Sequence, residues 1–212
     1  MIHGLYAITP DSWDSQRLLD GVEAAVEGGA SVLQYRRKAI AISERRKEAA
    51  AIREICRPRG VPLIVNDDPT LAAEVHADGV HLGRDDGSVA AARAVLGGTS
   101  MIGVSCYDDL ERAERAFHEG ADYVAFGSFF PSAVKPHAVR PPVSLLSAAR
   151  DRIALPRVAI GGITVHNAAL LIEEGADAVA VISDLFDAQD IRARAELFSS
   201  LFRATQPFIE VP

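Results

Sequence analysis

The sequence predicts a single (β/α)8 barrel, the fold also called a TIM barrel, on three observations. Eight short β-rich runs alternate with amphipathic, Ala-rich stretches along the 212 residues. Most of these runs are apolar throughout, as in Val-Ala-Ile-Gly and Val-Ala-Val-Ile, which is typical of parallel strands buried on both faces. One junction pattern, in which a helix stops and a strand follows at once, occurs four times. Eight βα units in about 200 residues match the dimension of a small barrel.

The elements follow from these runs in chain order. The strands are predicted at residues 5–9, 31–36, 62–66, 79–83, 101–105, 123–127, 157–161 and 178–183. The helices are predicted near residues 15–28, 43–57, 68–76, 88–96, 108–119, 143–151, 164–174 and 187–205. An open doubly wound sheet is the alternative, but it seldom has eight parallel strands in a chain of this length. Because no linker or low-complexity tract interrupts the series, we expect one domain over residues 1–212.

The four junctions lie at residues 27–32, 76–80, 119–124 and 174–179, and two of them begin Glu-Gly-Ala-Asp. A helix usually ends there at a Gly, which accepts the left-handed conformation just after a helix. Short loops of one type that recur between helix and strand are what repeated βα units require.

The segment 131–142 departs from this regular series. It contains four prolines and is too Pro-rich for a helix, so it is predicted to be a long loop after the sixth strand. Long loops on the C-terminal rim of a barrel are usually functional. Lys135 on this loop, with Ser132 beside it, is suited to close over a diphosphate, and an ordinary surface lysine is the alternative.

The bulk composition excludes several classes of partner. A net charge of −7, with 49% hydrophobic residues, lacks the basic balance of a nucleic-acid-binding protein. No apolar run reaches the length of about 18 residues that a membrane span needs. The first residues lack the charged-then-apolar layout of a signal peptide, and Cys56 and Cys106 are expected to be reduced thiols. We therefore expect a cytoplasmic protein without a nucleic-acid or membrane partner.

Two carboxylates follow neighbouring strands, Asp67 after the third and Asp86 after the fourth. The carboxyl ends of parallel barrel strands face one mouth, so these side chains are expected to converge. Mg²⁺ keeps several waters and takes one or two carboxylates together with substrate phosphate oxygens. The alternative is helix capping, by Asp67 or Asp68 before Pro69 and by Asp86 near Ser88. The spacing alone leaves both readings open.

A basic stretch, Gln-Tyr-Arg-Arg-Lys at residues 34–38, follows the second strand. Strand alternation would point Gln34, Arg36 and Lys38 to one side. Arg binds phosphate through two N–H groups, and Lys acts as a point charge. A solvated basic loop is the alternative, and for this stretch taken alone it is the favoured one.

Groups suited to bind a phosphate also follow the seventh and eighth strands. Gly161 and Gly162 allow close approach of the backbone to an anion, and Ser183 ends the eighth strand. A tight turn that merely needs glycine is the alternative.

Ser105 is a candidate hydrogen-bond donor at the end of the fifth strand. His81 lies inside a strand and is expected to be a hydrogen-bonded core residue.

Taken together, these motifs resemble the thiamine-phosphate synthase family over nearly the whole chain. The matching segments are Leu-Tyr-Ala-Ile-Thr (5–9), Gln-Tyr-Arg-Arg-Lys (34–38), Asn-Asp (66–67), Gly-Val-His-Leu-Gly-Arg-Asp-Asp (79–86), Gly-Val-Ser (103–105), Phe-Gly-Ser-Phe-Phe-Pro-Ser-Ala-Val-Lys (126–135), Ala-Ile-Gly-Gly-Ile (159–163) and Val-Ile-Ser (181–183). No single segment is decisive, but the ordered set is highly specific.

The resemblance implies a (β/α)8 transferase of thiamine biosynthesis that joins a pyrimidine methyl diphosphate to a thiazole phosphate. The products are thiamine phosphate and pyrophosphate, and the reaction passes through a pyrimidine carbocation. Carried over by position, Asp67 and Asp86 bind Mg²⁺. The residues implied for the pyrimidine diphosphate are Gln34, Asn66 and the catalytic group of Arg36, Lys38, Ser105 and Lys135. Those implied for the thiazole phosphate are Ser132, Val134, Gly162, Ile182 and Ser183. A homodimer is also implied.

The chain departs from the family pattern at two positions. The loop after the sixth strand usually reads Pro-Thr-x-Thr-Lys in the family, and here it reads Pro-Ser-Ala-Val-Lys. Ser132 keeps a hydroxyl, but Val134 has none, so that contact is lost or is made by the backbone N–H. Arg37 stands where many members carry an acid, and we expect it to add a positive charge beside the diphosphate without abolishing function.

Two other functions compete with the synthase. A thiazole tautomerase of the same superfamily moves a proton and needs neither Mg²⁺ nor a diphosphate site. A non-catalytic binder of phosphate ligands would keep the fold without turnover, and Val134 is the only hint of it. The retained residues for the metal and the diphosphate favour the synthase.

We expect Val134→Thr to lower the KM for the thiazole phosphate. The restored hydroxyl would return a hydrogen bond to a charged group, which is worth about 1.5–3 kcal/mol. Steady-state kinetics at saturating pyrimidine diphosphate would measure the change, and an unchanged KM would contradict it.

Overall fold

The computed structural model describes residues 2–131 and 139–204. Eight parallel strands pair in chain order, and the eighth closes on the first, so the predicted (β/α)8 barrel is confirmed. The strands are β1 Gly4–Ile8, β2 Val32–Tyr35, β3 Leu63–Asn66, β4 Gly79–Leu82, β5 Met101–Tyr107, β6 Tyr123–Gly127, β7 Arg157–Ile160 and β8 Ala178–Val181.

The helices occupy the outside of this barrel. They are α1 Ser15–Glu27, α2 Ile42–Cys56, α3 Pro69–Glu74, α4 Val89–Leu96, α5 Leu110–His118, α6 Leu145–Arg152, α7 Ala168–Glu173, α8 Ser183–Phe186 and α9 Ile191–Ala204. A 3-10 turn, Arg57–Arg59, follows α2. None of the helices in the described part of the chain is long and apolar enough to cross a membrane. The predicted loop 131–142 lies partly outside the described residues.

Two strand ends differ from the predicted bounds by two residues, and the other differences are of a single residue. β8 stops at Val181, because Ile182, at φ −114° and ψ −82°, turns the chain into the short helix α8. Ser183 therefore begins a helix and does not end a strand. β5 continues two residues beyond the prediction to Tyr107, with a shift in its register against β6 between Ser105 and Tyr107.

Alternate side chains of the strands fill two separate cores. The inward side chains form a cluster inside the barrel that includes Tyr6, Ile64, Tyr123 and Val158. The outward side chains pack under the helices in a second, larger cluster. This explains why the strand segments are apolar at consecutive positions, since both faces of each strand are covered.

The inward rows continue as polar residues at the C-terminal ends of the strands. Gln34 lies two positions after Val32, and Asn66 two positions after Ile64, so each shares the inward face of its strand. The end of β5 is fixed by Arg112 of α5, which donates from Nε to the carbonyl of Ser105 at 2.7 Å. The barrel thus delivers polar groups to one mouth.

Candidate active site

A cavity of about 990 Å³ opens at the C-terminal mouth of the barrel. Seven of the residues predicted from the sequence line it, namely Gln34, Arg36, Asn66, Ser105, Gly162, Ile182 and Ser183. Lys38 and Asp67 line a smaller adjoining pocket of about 420 Å³, which shares Asn66 with the larger one. Ser132, Val134 and Lys135 lie outside the described residues.

Asp11, in the loop after β1, holds the basic segment that follows β2. Its Oδ2 accepts from Arg36 Nη1 at 2.8 Å, and its Oδ1 accepts from the backbone N–H of Lys38 at 2.6 Å. Thr9 Oγ1 accepts from the backbone N–H of Arg36 at 2.8 Å. The segment is therefore anchored, and it is not the freely solvated loop that the sequence alone favoured. Sequence reasoning missed Asp11, whose only signal is its place in the loop that follows the first strand, three residues after Ile8.

Arg37 pairs its charge with a carboxylate behind the mouth, whereas the sequence predicted an added charge beside the diphosphate. Its side chain is buried and faces α2, where it forms an ion pair with Glu48 at 3.1 Å. Strand alternation explains this, because Arg37 has the parity of Tyr35, which points outward, and not that of Gln34. Of the predicted cations, Arg36 lines the large cavity and Lys38 lines the adjoining pocket, and Arg84 adds a further positive charge to the large cavity.

Asp67 and Asp86 are hydrogen-bonded to each other, and neither caps a helix. The caps are Asp68, which accepts from the N–H of Leu71 at 2.9 Å, and Ser88, which accepts from the N–H of Ala91 at 3.1 Å. The capping reading therefore does not account for the two carboxylates. Asp67 adopts the left-handed backbone conformation, with φ at 64°, which is uncommon for a residue other than glycine.

The surroundings shift the pKa values of Asp67 and Asp86 in opposite directions. Burial raises the pKa of Asp67, but hydrogen bonds to Lys38 and Asp86, together with the Lys38 charge, outweigh it and lower that pKa. The Lys38 Nζ lies 2.9 Å from Asp67 Oδ2. Burial, followed by the hydrogen bond to Asp67, raises the pKa of Asp86, although the N–H of Gly83 donates to its Oδ2 at 2.8 Å. Of the two carboxyl groups, Asp67 is thus the stronger acid.

The donor set at this pair fits Mg²⁺. Two carboxylates, with the Asn66 amide hydrogen-bonded to Asp67, present the oxygen ligands that Mg²⁺ prefers. Within the part of the chain that the structure describes, no group of three or more His, Cys, Asp or Glu side chains is arranged to hold a metal ion. A cation here would therefore take its remaining ligands from water and from a phosphorylated substrate.

A chain of buried hydrogen bonds forms the floor of the cavity and joins two predicted site residues. Gln34 Nε2 donates to Tyr6 Oη at 2.9 Å, and Tyr6 Oη lies 2.8 Å from Tyr123 Oη. His81 then bridges Tyr123 Oη at 3.0 Å and Ser105 Oγ at 2.9 Å. Burial raises the pKa of both tyrosines, so their hydroxyls stay protonated. The expectation of a hydrogen-bonded core histidine agrees with these contacts.

Sequence reasoning missed the two tyrosines of this chain. Their only signal is an aromatic residue with a hydroxyl at an inward position of a strand, where a purely apolar side chain would be expected. Tyr6 and Tyr123 are 117 residues apart in the chain, and no local pattern connects them.

The turn after β7 needs both of its glycines for its own geometry. Gly161 and Gly162 have φ at 100° and 64°. A Cβ on Gly162 would collide with the carbonyl of Pro131, and one on Gly161 would collide with Ser128. Asn167 Nδ2 donates to the carbonyl of Gly162 at 3.1 Å. The tight-turn reading thus explains the two glycines, and the turn places both of them on the cavity wall.

Fold and site together define the class of protein: an enzyme of the (β/α)8 barrel type with its active site at the C-terminal mouth. The model of the family described as thiamine monophosphate synthase matches residues 5–185. The thiamine-phosphate synthase of Azoarcus sp. (strain BH72) is 56% identical over 201 residues, which cover 95% of this chain and 98% of that protein. That of Methylobacillus flagellatus is 54% identical, with 95% and 96% covered. The chain therefore belongs to the thiamine-phosphate synthase family.

Solved structures agree with this. The thiamine phosphate pyrophosphorylase of Pyrococcus furiosus superposes with a TM-score of 0.85 at 32% identity, covering 96% of this chain and 97% of that one. The 3-hexulose-6-phosphate synthase of Salmonella typhimurium reaches a TM-score of 0.74 at 19% identity, covering 95% of this chain and 100% of that one. This second likeness shows the fold alone.

Proposed function

We propose that this chain joins a pyrimidine methyl diphosphate to a thiazole phosphate in a Mg²⁺-dependent reaction that yields thiamine phosphate and pyrophosphate. The observation that carries this proposal is the carboxylate pair Asp67 and Asp86, uncommitted to helix capping, beside the cations Arg36 and Lys38 at the barrel mouth. Membership of the thiamine-phosphate synthase family supports the choice of substrates.

The pyrimidine diphosphate is assigned to the side of the mouth formed by β2, β3 and β5. Arg36 is suited to bind phosphate oxygens through two N–H groups, and Lys38 supplies a point charge. Gln34, Asn66 and Ser105 line the same cavity and offer amide and hydroxyl groups for the pyrimidine. Lys135, outside the described residues, is assigned to the diphosphate on the family resemblance alone.

Asp67 and Asp86 are the residues that would hold Mg²⁺. When bound, the ion would supply positive charge against a departing diphosphate. The nearness of the two carboxyl groups supports the assignment, because a bound divalent cation would relieve the repulsion between them that raises the pKa of Asp86.

The thiazole phosphate is assigned to the opposite side of the cavity. Gly162, Ile182 and Ser183 line it together, at the ends of β7 and β8. Ser132 and Val134 complete this subsite on the resemblance alone, the latter through its backbone N–H.

The residues act by orientation and charge. Negative charge grows on the diphosphate as it leaves a primary carbon, and Arg36, Lys38 and Lys135 would neutralise it. Ser105 is held by His81 and can orient the pyrimidine through a hydrogen bond. The reaction needs no protein nucleophile, and burial raises the pKa of the Cys106 thiol to about 12, which keeps that group unreactive.

Three further assignments concern domain organisation, location and assembly. We infer one domain over residues 1–212, because the described residues build one barrel. A cytoplasmic setting is supported by Cys56 and Cys106, which are free and buried. A homodimer is proposed on the family resemblance, and a monomer mass in light scattering would contradict it.

A pyrophosphate-release assay tests the reaction. Purified protein is mixed with the pyrimidine methyl diphosphate and the thiazole phosphate, with and without Mg²⁺. We expect release only when both substrates and the metal are present, because the metal charge is needed for departure of the diphosphate. If both ligands bind without release, the tautomerase or the non-catalytic binder takes the place of the synthase.

We expect Asp67→Asn to reduce Mg²⁺-dependent turnover by at least about 10- to 100-fold, the loss seen when groups around a bound metal are removed. The amide keeps the shape of the side chain but lacks the charge. Asp68→Asn is the matched control, because Asn caps α3 as well as Asp does, and it should keep its turnover. Circular dichroism would check both folds, and full activity of Asp67→Asn would remove that residue from the metal site.

A further inference from the structure

A buried ion pair lies directly behind the basic segment that follows β2. The side chains of Arg37 and Glu48 are 4% and 3% exposed. Arg37 donates from Nε to Glu48 Oε2 and from Nη2 to Glu48 Oε1, each at 3.1 Å. The two groups thus meet in the paired, two-bond geometry that fixes an arginine most firmly.

Both partners make further contacts that tie three elements together. Arg37 Nη1 donates to the carbonyl of Asp11 at 2.7 Å and to that of Trp13 at 2.6 Å. Glu48 accepts from Tyr35 Oη at 2.8 Å and from Ser15 Oγ at 2.7 Å. The end of β2, the loop between β1 and α1, and the middle of α2 are therefore joined at one point.

Asp11 links this point to the mouth of the barrel. Its carbonyl is held by Arg37, while its carboxylate holds Arg36 at 2.8 Å and the backbone of Lys38 at 2.6 Å. Arg36 is only 19% exposed, so its direction is set by these contacts and not by solvent. A displacement of Asp11 would move both cations together.

We propose that Arg37 and Glu48 are positioning residues that hold Arg36 and Lys38 in place for a diphosphate. The inference rests on the proposed function, in which Arg36 and Lys38 bind that group. Arg37 does not line the large cavity, because its guanidinium is bonded to Glu48 of α2. It acts through Asp11.

Stability alone does not account for such a pair. Two buried charges lose their hydration, and replacing both with apolar side chains of similar volume is often neutral or stabilising. Positioning does account for it, because binding to preset cations avoids the cost of ordering long side chains when the ligand arrives. Removal of the pair should therefore weaken diphosphate binding while leaving the stability of the fold nearly unchanged.

The test replaces the ion pair and its buried tyrosine with apolar groups, as Tyr35→Phe, Arg37→Met and Glu48→Met in one chain. Including Tyr35→Phe avoids leaving a buried hydroxyl without its acceptor. We expect the triple variant to keep its melting temperature within a few degrees. The dissociation constant for inorganic pyrophosphate with Mg²⁺, measured by calorimetry, should rise at least about tenfold, whereas that for the thiazole phosphate should change less than twofold.

Two controls separate positioning from a general loss of structure. Tyr35→Phe alone leaves the Arg37 contacts to Asp11 in place and should keep pyrophosphate affinity. Arg157→Met removes an ion pair with Asp177 at the opposite end of the barrel, and it should lower the melting temperature without changing either affinity. Pyrophosphate affinity in the triple variant equal to that of the unmodified chain would overturn the proposal.

A double variant, Arg36→Gln with Lys38→Gln, distinguishes this inference from the proposed function. If that variant binds pyrophosphate like the unmodified chain, the two cations are not its ligands, and the assignment of the site fails along with the inference. If it binds at least about tenfold more weakly while the triple variant binds normally, only the positioning role fails.

Discussion

Strand alternation inside a closed parallel barrel is the constraint on which the other features of this molecule depend. Each strand sends successive side chains to opposite layers, so one set fills the barrel interior and the other packs under the helices. At the strand ends the same alternation sorts polar residues. Gln34 and Arg36 face the cavity, while Tyr35 and Arg37 face α2. Within residues 34–38, side chains that line the cavity therefore alternate with side chains that anchor the segment to α2.

The cations and anions of the mouth neutralise one another before any ligand binds. Arg36 is paired with Asp11 and Lys38 with Asp67, and each pair is partly exposed to solvent. Lys38 is the more exposed of the two cations, and exposed pairs contribute little free energy, so a phosphorylated ligand can draw Lys38 from Asp67 at small cost. Because Lys38 and a cation compete for Asp67, binding of a divalent cation there would release Lys38 for an anion.

The floor of the cavity meets a different physical demand. Tyr6 and Tyr123 are buried there, and an unpaired hydroxyl at a buried position would be costly. The chain of hydrogen bonds from Gln34 through Tyr6, Tyr123 and His81 to Ser105 satisfies each of these groups. Such a chain holds Gln34 and Ser105 in fixed positions, and fixed hydrogen-bonding groups can orient the ring of a bound substrate precisely.

The sequence by itself determined the number of βα units, the order of the strands and the faces on which most polar residues lie. It did so because apolar periodicity and helix-ending glycines are local signals. It also brought Asp67 and Asp86 to one mouth, since parallel strands end on the same side. The direction of Arg37 follows from the same alternation, although only the structure revealed its buried partner.

Only the tertiary structure decided which partners these residues meet. Glu48, Asp11 and Tyr123 come from elements that are separate in the chain from the residues they hold, and no spacing rule connects them. The capping question was also settled in space, when Asp68 and Ser88 proved to be the caps. The reason is physical: periodicity specifies a face, but closure of the barrel and docking of the helices specify what lies opposite that face.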